Sequence, residues 1–198
     1  MINMKESIEK SFLDSAKEIK KASALSEIIE KSIIEIIDCI EKGNKIIIFG
    51  NGGSAADAQH IAAELISKFK KNRRSLPAIA LTTDTSIITS IGNDFSFDCI
   101  FSRQCESLVA KGDVVIGIST SGNSINIKNG IIKSKEKGAK TIALLGNNGG
   151  IIKEYVDIPI IVESSSTSKI QETHRVIYHI ICEYVESEII KRGAKCAF

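Results

Sequence analysis

The chain has 198 residues, 43% hydrophobic and 25% charged, a balance that suits a soluble globular fold and excludes disordered and membrane-embedded classes. Its formal charge of +2 is small, and lysines alternate with glutamates along helical stretches, so nucleic acid is not an expected partner. The five cysteines are widely spaced with no CxxC pair, the pattern of reduced thiols in a cytoplasmic protein.

Residues 1–20 mix charged and apolar positions and so lack the apolar core of a secretory signal, and no later run is long enough to span a bilayer. Leu25, Ile28, Ile29, Ile33, Ile36, Ile37 and Ile40 recur at helical spacing and stop at Gly43, which predicts two helices, or one broken near Lys21–Ser23, before the first strand. The second has an apolar arc wide enough for burial on its own domain and packing between subunits together. Residues 1–43 are expected as a helical arm on a single domain that spans 1–198.

Short β-branched runs then appear at 45–49, 78–81, 114–118, 141–145 and 158–162, separated by helical segments at 54–69, 85–92, 97–110, 124–138 and 148–155. A long helix over 169–192 closes the chain. This alternation predicts a three-layer α/β/α sandwich around five parallel strands, with ligands beyond the strands' carboxyl ends.

Two of those ends carry chemistry. Ser119-Thr120-Ser121-Gly122-Asn123-Ser124 leaves a strand and enters a helix. Small hydroxyls, a glycine that admits backbone amides, and the positive end of a helix together suit a phosphate; a plain Ser/Thr turn capped by Ser124 is the alternative. Asn51-Gly52-Gly53-Ser54 makes a related turn after the first strand, without the dinucleotide GxGxxG or the Walker lysine. One turn apart on the following helix, His60 and Glu64 can share a metal or a substrate, or simply each other. Small alanines flank them, which predicts a packed face around the pair. In the last helix Gln171, Glu172, His174, Arg175 and His179 are interspersed with isoleucines, and helical phase alone does not choose between His174 and His179.

These three motifs, with Gly92-Asn93-Asp94-Phe95 and Phe101-Ser102-Arg103, make the chain resemble the sugar isomerase (SIS) domain family over nearly its whole length. The resemblance implies a flavodoxin-like sheet, a homotetramer, and an aldose–ketose isomerase that takes sedoheptulose 7-phosphate to D-glycero-D-manno-heptose 7-phosphate for bacterial lipopolysaccharide or capsule. Carried over position by position, it implies a zinc ion on His60, Glu64, Gln171 and His179, and phosphate contacts from Ser119, Thr120, Ser121 and Ser124. Sugar contacts fall on Asn51, Gly52, Gly53, Ser54, Asn93 and Asp94, with Glu64 and Gln171 also touching the sugar, and Glu64 and His179 serve as acid–base pair. The sequence departs from the family at Ser168-Lys169, where relatives carry an acid or alanine before arginine. Some members of the fold only bind sugar phosphates to regulate, or bind a replication initiator; the intact set of four donors argues for catalysis here.

Overall fold

A computed structural model describes residues 3–193, so Cys196 lies outside the described part. Helix α1 (Met4–Lys21) starts with a capping box, in which Asn3 accepts from the Lys5 amide and Glu6 from the Asn3 amide, and buries none of its residues. A 3-10 turn at Ala22–Leu25 makes the expected break, and α2 (Ser26–Glu41) buries Ile29, Ile33, Ile36, Ile37 and Ile40. The second helix therefore belongs to the main core, while the first lies outside it.

Strands β1 (Ile46–Gly50), β2 (Ala78–Ala80), β3 (Val114–Ser119), β4 (Lys140–Gly146) and β5 (Ile158–Val162) form one sheet in the order β2-β1-β3-β4-β5, every pairing parallel. Parallel neighbours need crossovers, which are supplied by α3 (Gly53–Ile66), α4 (Thr85–Asp94), α5 (Ser102–Leu108) and α6 (Ile125–Glu136), with α7 (Thr167–Lys191) last. Side chains alternate across the sheet. Ile48, Ile116, Leu144 and Ile160 pack under α2, α3 and α7, whereas Ile47, Phe49, Val115 and Leu145 pack under α5 and α6. Every residue of β1 and β3 is buried, as expected for strands covered on both faces, and each such isoleucine contributes roughly 1.5–3 kcal/mol.

Two expected helices differ. The segment 148–155 holds only a 3-10 turn, Ile152–Glu154, because Asn147, Gly149 and Gly150 all take positive φ and turn the backbone away from a right-handed helix. The segment 97–110 splits into a 3-10 turn, Phe97–Cys99, and the short α5. Cys39, Cys99, Cys105 and Cys182 are free thiols, and no helix among the described residues is long and apolar enough to cross a membrane.

Candidate active site

In this strand order the chain changes direction between β1 and β3, which opens a crevice at their carboxyl ends. The two loops read from the sequence meet there. Asn51, after β1, exchanges two side-chain hydrogen bonds of 2.9 Å with Asn126 at the start of α6, so one amide pair ties the loops together. Within the hydroxyl turn, Ser119 Oγ lies 3.1 Å from Ser124 Oγ and 3.5 Å from Ser121 Oγ. Ser124 occupies the N-cap position of α6 but makes no side-chain cap; its hydroxyl turns into the cluster instead, while Ser119 Oγ and Ser121 Oγ accept from the Gly122 and Asn123 amides as in a Ser/Thr turn.

The turn is held from behind by the loop after β4. Asn147 Nδ2 donates to Thr120 O at 3.1 Å, the Ile151 amide to Asn123 Oδ1 at 3.1 Å, and the Ile152 amide to Gly122 O at 3.0 Å.

From the crevice, α3 and α7 run side by side in the same direction. Gly53 meets Gln171, Asp57 meets Arg175 and Tyr178, and His60 meets Tyr178 and His179. The donor atoms of His60, Glu64 and His179 lie within 4.8 Å of one another, with His60 Nε2 3.0 Å from Glu64 Oε1. Burial, with the His60 ring beside it, lowers the pKa of His179 and favours the neutral, ligating imidazole. Two imidazoles and a carboxylate at this separation form a donor set that suits zinc with a fourth position open.

Gln171, a fourth metal donor by the resemblance, contacts the start of α3. A Cβ on Gly53 would stand 2.6 Å from Gln171 Nε2, so the Gln171 amide lies against the first turn of α3. Gly53 and His60 are seven residues apart, about 10 Å of helical rise, and α7 carries Gln171 and His179 with similar separation. His60 is also more open than the flanking alanines suggest: its side chain is 45% exposed, and that of Glu64 21%. Asn93 and Asp94 sit on the last turn of α4, exposed and hydrogen-bonded to each other at 2.8 Å. Ser54 is buried at the start of α3, and Gly52 is its N-cap with φ 55°.

The family model of the SIS domain matches residues 11–146. The chain belongs to the SIS domain family. Among curated relatives, the phosphoheptose isomerase of Citrifermentans bemidjiense is 56% identical over 85% of this chain and 88% of its own. That of Aquifex aeolicus is 50% identical over 96% of this chain and 100% of its own. A solved phosphoheptose isomerase from Neisseria gonorrhoeae superposes with a TM-score of 0.89 at 39% identity, covering 93% of this chain and 100% of that one.

Sequence reading of this SIS chain missed Asn126, Asp57, Tyr178 and Asn147. Asn126 carries one usable signal, an amide two residues past the hydroxyl turn on a helix start. The others act across more than twenty residues of sequence, where no local pattern reports a contact.

His174, left open by helical phase, proves structural. It is fully buried, and its Nε2 lies 3.0 Å from Leu145 O. A carbonyl only accepts, so Nε2 carries the proton, and burial pulls the pKa down to about 4.

Proposed function

We propose that this protein is a phosphoheptose isomerase, interconverting sedoheptulose 7-phosphate and D-glycero-D-manno-heptose 7-phosphate. The observation that carries the reading is the convergence of Glu64 and His179 on one cluster, along the same helix seam that begins at the joined hydroxyl and amide loops.

The phosphate is held by Ser119, Thr120, Ser121 and Ser124 and by the start of α6, whose dipole favours an anion without a lysine. Asn51, Gly52, Gly53, Ser54 and Gln171 line the way toward the cluster and offer amides and a hydroxyl to the sugar; Asn93 and Asp94 contribute from α4. At the reacting end, the Glu64 carboxylate takes the proton from C1 of the ketose and returns it to C2. His179 moves the hydroxyl protons, removing one from O1 and delivering one to O2, so the enediol collapses to the aldehyde. His60, Glu64 and His179 would hold zinc, which when bound polarises the carbonyl as a Lewis acid. Gln171 then serves the sugar rather than the metal.

The assembly is a homotetramer in this reading. Helix α1 exposes Met4, Phe12 and Leu13, and a groove of about 910 Å³ beside it is lined by Ile33, Ile34, Ile180 and Tyr184, an apolar surface that a second copy would cover. Light scattering on the purified chain should give four subunits, and a monomer would remove this part. For the reaction, the full-length chain is incubated with sedoheptulose 7-phosphate before and after treatment with a chelator. Aldose phosphate should form, fall away on metal removal, and return with zinc; no product under any condition would refute the assignment.

A further inference from the structure

Behind His60 lies a chain of hydrogen bonds that the reaction above does not use. Asp57 precedes His60 by three residues on α3, and its side chain is 3% exposed. Its Oδ1 accepts from Arg175 Nε at 3.1 Å and lies 3.3 Å from Tyr178 Oη, while Oδ2 has no hydrogen-bond partner. Tyr178 is 1% exposed, and the same Oη lies 3.0 Å from His60 Nδ1.

A phenol has one proton to give, and an ionised carboxylate can only accept. Were the phenol to donate to His60, two oxygens would face each other across 3.3 Å in the interior, beside a carboxylate that already has one oxygen without a partner. On the far side of His60, Glu64 Oε1 stands 3.0 Å from Nε2, and because both side chains reach solvent, water or a cation between them relieves the opposition of two acceptors there. The proton therefore goes to Asp57, the phenol oxygen accepts from His60 Nδ1–H, and the Nε2 lone pair is left pointing toward Glu64 and His179.

We propose that Asp57 and Tyr178 form a relay that holds His60 as its Nδ1–H tautomer and so presents Nε2, ready to ligate, to a divalent cation. Both are positioning residues, since their hydrogen bonds reach the cluster through His60. Rings stiffen the arrangement: Tyr178 meets His60 and His179 edge-on, with centroids 5.5 and 4.7 Å apart. Carboxylates or carbonyls commonly orient ligating histidines from behind, and here the carboxylate does so through an interposed phenol. The relay rests on the metal reading of the cluster for its purpose, but not for its existence.

The test exploits the presence of three histidines in the chain. Full-length protein carrying 15N-histidine is stripped of metal and its ring nitrogens are recorded by NMR at pH 8, where an ordinary imidazole is neutral. Loss of signals in His60→Gln assigns His60. The wild type should show His60 protonated at Nδ1. In Tyr178→Phe, which keeps the ring and removes the hydroxyl, the proton should move to Nε2, where Glu64 Oε1 stands 3.0 Å away as acceptor. Zinc affinity of that variant, titrated against a chromophoric chelator, should fall about 10- to 100-fold while its melting temperature stays near wild type. An Nε2–H wild type, or a Tyr178→Phe chain with unchanged zinc affinity, overturns the relay. Should Tyr178→Phe fail to fold, the wild-type tautomer still decides. An Nδ1–H His60 in a chain that takes up no zinc would keep the relay and remove the metal reading, so the two fail separately.

Discussion

Replacing Gly122 with alanine tests how the hydroxyl turn is held. Gly122 has φ +67°, and an added Cβ would stand 2.3 Å from Gly149 O and 2.7 Å from Gly150 N, both main-chain atoms. A left-handed alanine costs about 1–2 kcal/mol. The clash adds more, because the 147–151 loop must retreat and stretch its bonds to Thr120, Gly122 and Asn123. At about 1 kcal/mol for each of these three bonds and 1–3 kcal/mol for overpacking, added to the left-handed cost, the total loss is roughly 5–8 kcal/mol. Gly43 supplies the control. Its φ is +78° with nothing within 4 Å of the added Cβ, so Gly43→Ala should cost only the left-handed part. Urea denaturation of both variants measures the two costs, and KM for the sugar phosphate reports the turn itself. Gly122→Ala should be the less stable by about 4–6 kcal/mol and should raise KM, whereas Gly43→Ala should leave KM alone. Equal stabilities with an unchanged KM would refute the claim that the 147–151 loop positions the turn.

Glu64→Gln keeps the side chain's size beside His60 but removes the base, so kcat should drop about 10²- to 10⁴-fold with KM little changed; activity near wild type in a coupled assay would remove Glu64 from proton transfer. His174 sets an acid limit on stability. Its pKa in the folded chain is lowered from 6.5 to about 4, so the unfolded chain gains a proton that the folded one refuses as pH falls through that window. Folding stability should therefore decline by about 3 kcal/mol between pH 6.5 and pH 4 through this group. His174→Gln, read by denaturation across this range, should flatten that slope; an unaltered slope would show that another group is responsible.

Much of this protein was legible along the chain because the relevant signals are local. A β-branched run of five or six residues reads as a buried strand wherever it lies, so all five strands emerge with ends displaced by one residue or so. The hydroxyl turn and the Asn51–Ser54 turn show their chemistry in consecutive residues, and strand alternation places both at carboxyl ends. The false helix at 148–155 has a local cause as well: Asn147 takes a positive φ that its identity permits but does not require.

What the linear sequence determined by itself was the list of elements, the parallel sandwich they imply, and the candidate groups at their ends, since each follows from spacing within a few residues. Tertiary packing alone decided which groups meet. Laying α7 beside α3 turns His179 toward His60 and Glu64, sends His174 to the Leu145 carbonyl, and leaves Gln171 at Gly53. Periodicity fixes which residues share a helix face, but it cannot say which neighbour that face will touch; that is set by the burial of whole helices on a common sheet.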